Sequence, residues 1–163
     1  MEEEILDVVE EKDQFVRKAT RKEVRENALM HRLSRVIIKN NKNQLFVQKR
    51  SANKKNFPEH WDIGIAETVV SGEGYVSAAM RGLVEEVGII GVSNIQLIHS
   101  FLFKIKYNSS EINELCKVYQ LEYNGKLTIQ EEEIEDAKFL TINEINNLLK
   151  NGPSHPVGKI AFE

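Results

Sequence analysis

Three features of the chain predict an α+β sandwich. Apolar residues recur at helical spacing over 76–87, runs rich in β-branched and aromatic residues lie on both sides of that segment, and Thr141 with Glu144 signals a second helix near the end. The 163 residues, 41% of them hydrophobic, suffice for one core, so the expectation is a single domain over 1–163, with an N-terminal strand and short helix in 1–30 and a C-terminal tail in 151–163.

In chain order, Glu4 to Val9 reads as a first strand, and Thr20 to Ala28 as a short charged helix with Thr20 and Glu23 forming a capping box. Leu33 to Lys39 and Gln44 to Arg50 read as strands joined in a hairpin by Asn40-Asn41-Lys42-Asn43. Ser51 to His60 is a polar loop, and Trp61 to Ala66 a buried strand leading into the helix. Taking about 100° per residue, Val76, Ala79, Met80, Leu83 and Val87 gather on one face, expected to pack on the core, while Arg81, Gly82, Glu85 and Glu86 point away. Ile95 to Tyr107 and Leu115 to Tyr123 are longer strands separated by the Asn108-Ser109-Ser110 turn. Ala137 to Leu140 is a short strand, and Thr141 opens a final helix. Beyond Gly152-Pro153 no period is visible, so the tail reads as a loop, a frayed end or a docking segment.

Composition excludes several classes of function. A net charge of −3 gives no broad basic surface for duplex nucleic acid. The start, MEEEILDVVEEKD, has no long apolar run, so neither a signal peptide nor a membrane span is expected. Cys116 is the only cysteine, which precludes an internal disulfide framework and suits a reducing, cytoplasmic setting. It reads as a small buried residue on a strand.

The chemistry concentrates in ETVVSGEGYVSAAMRGLVEEVGI, Glu67 to Ile89. Two adjacent carboxylates, Glu85 and Glu86, at the C-terminal end of a helix repel one another and oppose its dipole, a cost that a divalent cation relieves. Glu73, Arg81, Leu83, Glu85, Glu86, Gly88 and Ile89 stand at the spacing G-x5-E-x7-R-E-U-x-E-E-x-G-U, with U a bulky aliphatic residue. Glu67 takes the place of the first Gly, and Gly82 that of the first helical Glu. The segment resembles the Nudix box in degenerate form. That resemblance implies an α/β/α sandwich with a mixed central sheet and a loop-helix-loop, and a Mg²⁺-dependent (or Mn²⁺-dependent) hydrolase of a small-molecule diphosphate. It assigns metal binding and catalysis to Glu85 and Glu86, and support of the helix to the Glu73–Arg81 pair.

The departures carry their own expectations. Gly82 costs the helix about 1 kcal/mol relative to alanine and removes a carboxylate that usually binds metal in this family, so activity is expected to be reduced. Glu67 is placed to swing a carboxylate into the vacated space, and Glu133, in the acidic run 131–136, is the other candidate third ligand. Arg50, Lys54 and Lys55 lie in the loop expected beside the site and could counter phosphate charge, Arg50 best because a guanidinium grips phosphate with two parallel hydrogen bonds. Phe57 and Trp61 could stack on a base, although aromatic residues beside a buried strand are more often core. His31 reads as a hydrogen-bonded histidine at a strand start.

Further motifs, His31-Arg32, Phe46 to Ser51 and Lys55-x-Phe57-Pro58-x-x-Trp61-Asp62, look like the Nudix subgroup related to isopentenyl-diphosphate isomerases. In those enzymes a Cys-Gly-His stands where Ala66-Glu67-Thr68 stands here, and Val24 replaces a histidine. Ile112-Asn113-Glu114 keeps only the second glutamate of an E-N-E. Allylic proton transfer therefore lacks its acid and its cation. Two readings stay open: a metal-dependent hydrolase of a nucleoside diphosphate derivative or related pyrophosphate, and an impaired Nudix-fold protein that binds a nucleotide-like ligand. Exposed strands and the uncommitted tail also leave room for a homodimer.

Overall fold

The computed structural model describes residues 2–162; Met1 and Glu163, the outermost residues of the N-terminal segment and the tail, lie outside the described residues. The chain opens with an antiparallel pair, β1 (Ile5–Val9) and β2 (Phe15–Thr20), then α1 (Arg21–Glu26). The sequence offers little signal for β2: its first four residues, Phe15 to Lys18, are all exposed and only Ala19 is buried, so no buried-exposed alternation marks it. Thr20 caps α1 by accepting from the Glu23 amide at 3.1 Å. The capping box is one-sided, since the Glu23 carboxylate turns instead to Arg17 at 2.7 Å.

Next come β3 (His31–Lys39) and β4 (Leu45–Arg50), joined by the expected turn with Asn43 at positive φ. They are not an extended hairpin: they meet only at Lys39 and Leu45 and then part. Into the gap runs the segment expected as one buried strand, split at Gly64 into β5 (Trp61–Ile63) on β4 and β6 (Ile65–Thr68) on β3. Gly64 makes the crossing with φ 73°, where a Cβ would fall 2.1 Å from the Val36 carbonyl oxygen. The opening between β3 and β4 later becomes the cavity.

After α2 (Tyr75–Val87), β7 (Gln96–Tyr107) and β8 (Ser110–Glu122) form a long hairpin about Asn108-Ser109, longer than expected because β8 starts at Ser110. β8 lies parallel to β3, whereas β9 (Ile134–Leu140) lies antiparallel to β4, so the sheet is mixed. α3 (Ile142–Asn151) carries the complete Thr141–Glu144 capping box. It is not the final helix, because the tail folds into α4 (Pro156–Phe162), too short to show a period.

Strand alternation sorts the core into two layers. From β3, Val36 and Ile38 face α2 with Ile65, Ala79, Leu83 and Val87, while Leu33 and Ile37 face the other side with Val118, Ile145 of α3 and Val157 of α4. This is the α/β/α arrangement. The helix face differs from expectation at two positions: Val76 is 51% exposed, and Gly82 is buried. The stripe against the sheet is centred on Ala78, Ala79, Gly82 and Leu83, and its small residues let α2 lie close on β6.

The N-terminal elements have a small cluster of their own, Leu6, Val8, Ala19 and Val24. They dock beside the α2 loop through a Leu6–Val70 bridge and a Ser71 amide donating to the Ile5 carbonyl at 2.8 Å. Asp13 ties them to the body, accepting from Arg32 Nε at 2.6 Å and from the Tyr75 hydroxyl at 3.1 Å. No helix among the described residues is long and apolar enough to cross a membrane.

Candidate active site

The parted strands, the β4–β5 loop and one side of α2 enclose a cavity of about 890 Å³. Glu67 at the end of β6 and Glu85 and Glu86 from α2 form one wall; Arg50, Lys54, Asn56 and Phe57 form another, with Gln130 and Glu133 ahead of β9. Deeper in, the lining changes to Leu33, Ala66, Phe103, Ile112 and Val157, with Arg35 and Glu114 at the floor.

Glu67 lies over Gly82. A Cβ built on Gly82 would come 3.2 Å from Glu67 Cβ and 3.3 Å from Glu67 Oε2, with Ile65 Cδ1 at 3.1 Å. The strand carboxylate therefore occupies the space into which a side chain at position 82 would grow. It is held by Arg81, whose Nη1 is 3.0 Å from Glu67 Oε1 and 3.6 Å from Glu85 Oε2. Arg81 Nη2 also donates to Glu73 Oε1 at 2.7 Å and to the Thr68 carbonyl at 2.8 Å. Glu73 in turn accepts from the Val70 amide at 2.9 Å, so one guanidinium joins the loop, the strand and the helix.

The electrostatics follow from burial and from crowding of like charge. Burial, then the charge of Glu67, pushes the Glu86 carboxyl up to about 8, against the opposing pull of Lys54 and a hydrogen bond from Gln48. Burial also raises Glu67, although Arg81 partly offsets it. Lys54 is lowered by burial and by the neighbouring Arg50. Lys54 is ion-paired with Glu133. Arg50 donates to the Phe57 and Asn56 carbonyls at 3.2 and 3.0 Å, which fixes the loop but leaves its Nη1 4.0 Å from Asp62.

Of the residues expected at the site, Glu67, Glu85, Glu86, Glu133, Arg50, Lys54 and Arg81 line the cavity, and Glu73 reaches it through Arg81. Lys55 does not: it is exposed and lines a neighbouring surface pocket with Glu3, Glu4 and Arg21. Phe57 is both core and lining, packed on Tyr107 and His155 with centroids 4.2 and 4.7 Å apart. Trp61 is core only, with Lys138 over its ring at 4.8 Å. His31 is the expected hydrogen-bonded histidine, its Nδ1 3.0 Å from the Leu29 carbonyl and its Nε2 3.5 Å from Glu114. Burial works against both charges of that pair, yet their mutual attraction prevails, raising His31 and lowering Glu114. Cys116 is buried, and burial pushes its thiol up to about 12.

Sequence reasoning missed Arg35, Asp62 and Gln48. Arg35 Nη1 donates to Asp62 at 2.6 Å and to the Ile63 carbonyl at 2.8 Å, and both partners are only 1% exposed. The available signal was a lone arginine inside the apolar strand 33–38 and a lone aspartate between Trp61 and Ile63. Gln48 donates to the Gly64 carbonyl at 2.7 Å, bracing the strand crossing beside Glu86.

A divalent cation fits this donor set. Burial, and after it the charge of Glu67, makes an ionised Glu86 costly beside Glu67 and Glu85, and a bound cation would offset that cost. Among the described residues, no three His, Cys, Asp or Glu side chains already converge on one point. Arg81 stands between Glu67 and Glu85 instead.

Comparison with known proteins bears on the family and the fold. A family model described as the NUDIX domain matches residues 30–158. An uncharacterized Nudix hydrolase of Streptomyces coelicolor is 32% identical over 160 residues, covering 98% of this chain and 86% of the relative. Another from Listeria monocytogenes is 34% identical over 128 residues, covering 78% and 73%. In fold, the chain is similar to a Deinococcus radiodurans crystal structure at TM-score 0.78, with 22% identity and 97% of each chain covered. The NUDIX domain of Shewanella oneidensis NrtR, solved with ADP ribose, is similar at TM-score 0.61, with 12% identity, over 80% of this chain and 82% of that one.

Proposed function

Because the chain belongs to the Nudix family of pyrophosphohydrolase-type enzymes, we propose that it hydrolyses the diphosphate bond of a nucleoside diphosphate derivative or a related small-molecule pyrophosphate, with Glu67 supplying the carboxylate that Gly82 lacks. The observation that carries the reading is the shared space: Glu67 Oε2 sits 3.3 Å from where a Cβ on Gly82 would be. Glu67, Glu85 and Glu86 would hold Mg²⁺ or Mn²⁺, and the bound cation supplies Lewis-acid charge against the diphosphate oxygens.

The protein's own groups perform the remaining tasks. Glu86, at the most buried end of the set and ionised when a cation is bound beside it, would orient the attacking water and accept its proton at the carboxylate. Arg50 and Lys54 face the cavity from the opposite wall and neutralise phosphate charge, Lys54 after releasing Glu133. Arg81 and Glu73 hold the α2 loop so that Glu67 and Glu86 keep their spacing. Activity is reduced relative to an undisturbed box, because Glu67 must share its charge between the cation and Arg81. A small-molecule diphosphate is thus the partner, in a protein of the cytoplasm.

One observation favours binding without turnover: Arg81 already pairs with both Glu67 and Glu85, so the carboxylates are compensated by the protein itself. Calorimetric titration of Mg²⁺ and Mn²⁺, followed by assays of a panel of nucleoside diphosphate derivatives for release of the nucleoside monophosphate and the second phosphomonoester, separates the two. Metal-dependent release that Glu86→Gln abolishes is expected. Ligand binding with no release under either metal would establish the binder.

A further inference from the structure

The matched domain begins at residue 30, yet the wall of the cavity does not. Arg21, the first residue of α1, lines the cavity from the N-terminal segment, beside Thr68 and Asn56. Its Nη2 is 3.5 Å from Thr68 Oγ1, next in sequence to Glu67, and its positive charge is felt at both Glu67 and Lys54.

The cations of the cavity differ in how firmly they are committed. Arg81 holds three carboxylates, Lys54 is paired with Glu133, Arg50 holds two loop carbonyls, and Arg35 is locked to Asp62 in the core. Arg21 is held at the rim by Glu4 at 2.5 Å, and both side chains are 43% exposed. An ion pair that exposed contributes only about 0–1 kcal/mol, so giving it up costs little. A phosphate offers the same guanidinium two parallel charge-assisted hydrogen bonds in the partly desolvated cavity mouth.

We propose that Arg21 is a binding residue for a substrate phosphate, supplied by the N-terminal segment and held until then by Glu4, which the phosphate displaces. The segment is fixed in position for this role by Asp13, which clasps Arg32 at 2.6 Å and the Tyr75 hydroxyl at 3.1 Å. Glu4 then acts as a competing anion at the mouth and raises the threshold for weakly charged ligands. The inference rests on the proposed diphosphate reading, but it concerns binding and can be tested without turnover.

The test is calorimetric titration of inorganic pyrophosphate with Mg²⁺ into wild type, Arg21→Gln, Arg21→Lys and Glu4→Gln, with thermal unfolding of each. Arg21→Gln is expected to weaken binding by about tenfold, as for loss of a charge-assisted hydrogen bond, and to flatten its salt dependence. Arg21→Lys should recover part of the loss, and Glu4→Gln should tighten binding by about two- to fivefold. A purely structural role for Arg21 would move the unfolding temperature and leave the salt dependence alone. Binding by Arg21→Gln within twofold of wild type, with an unchanged salt dependence, overturns the assignment and leaves the hydrolytic reading intact. A wild type that binds pyrophosphate but cleaves no diphosphate overturns the hydrolytic reading and leaves Arg21 to be judged on affinity. Absence of pyrophosphate binding to wild type overturns both.

Discussion

Replacing Asp62 by asparagine removes the anion that faces Arg35 beneath the cavity floor. The two side chains are 2.6 Å apart and each only 1% exposed, so water cannot substitute for the lost charge. Asp62 Oδ1 also accepts from the Ile63 amide at 2.8 Å, a bond that asparagine can keep. The variant therefore isolates the charge. Loss of one partner of a buried ion pair costs about 3–5 kcal/mol, against roughly 1–3 kcal/mol for an unsatisfied hydrogen bond, so the size of the effect distinguishes the two causes. Against a total of roughly 5–15 kcal/mol, the variant should be folded but weakened. Urea unfolding followed by circular dichroism at pH 7 measures it, in a cycle with Arg35→Met and the double variant. The double variant should regain much of the loss, because removing both charges leaves neither stranded. A cost below about 1 kcal/mol for Asp62→Asn, or a double variant equal to the sum of the singles, would refute the argument.

Four further outcomes are expected. Burial pushes His155 down to about 4 from 6.5, so the unfolded chain binds its proton first as pH falls; stability then drops between about pH 6.5 and 4, on the order of 3 kcal/mol, and His155→Gln should flatten that acid limb in urea titrations. His31 acts with the opposite sign: its raised pKa gives stability that is complete below about 6.5 and fades as pH rises through its folded value. Arg81→Gln should lower the unfolding temperature by several degrees and weaken Mn²⁺ binding by about 10–100-fold, since Glu67, Glu73 and Glu85 lose the guanidinium that fixes their positions, a loss that outweighs removal of a competing positive charge; unchanged or tighter metal binding would remove Arg81 from its supporting role. Gly64→Ala should cost more than about 2 kcal/mol in urea unfolding, because it combines a left-handed backbone with contact on the Val36 carbonyl.

Much of this was legible where a short stretch of chain encodes a complete physical unit. The Glu73–Arg81 clamp follows from fixed spacing in one loop and helix, and the Thr141–Glu144 capping box from two residues three apart. Legibility failed where partners are distant. Arg35 and Asp62 are 27 residues apart, and nothing local announces that β3 and β4 separate to admit β5 and β6 between them. The apolar stripe of α2 was misjudged because a helical wheel counts hydrophobicity and not closeness: Val76 was free to face solvent, whereas Gly82 was needed against β6. The meaning of Glu67 lay between these cases. Its departure from the box was visible, but that it meets the other departure in space required the fold.

The central claim is that one carboxylate has changed places between strand and helix, and the most direct measurement is metal-dependent turnover of the reciprocal exchange, Glu67→Gly with Gly82→Glu. Glu67→Gly alone should lose about 100-fold or more by removing a ligand, and Gly82→Glu alone should also lose activity by forcing a second side chain to within 3.3 Å of Glu67. The double variant returns one carboxylate to the same space and should match or exceed wild type. A double variant as inactive as Glu67→Gly, or a Glu67→Gly single variant with wild-type turnover, would contradict the account.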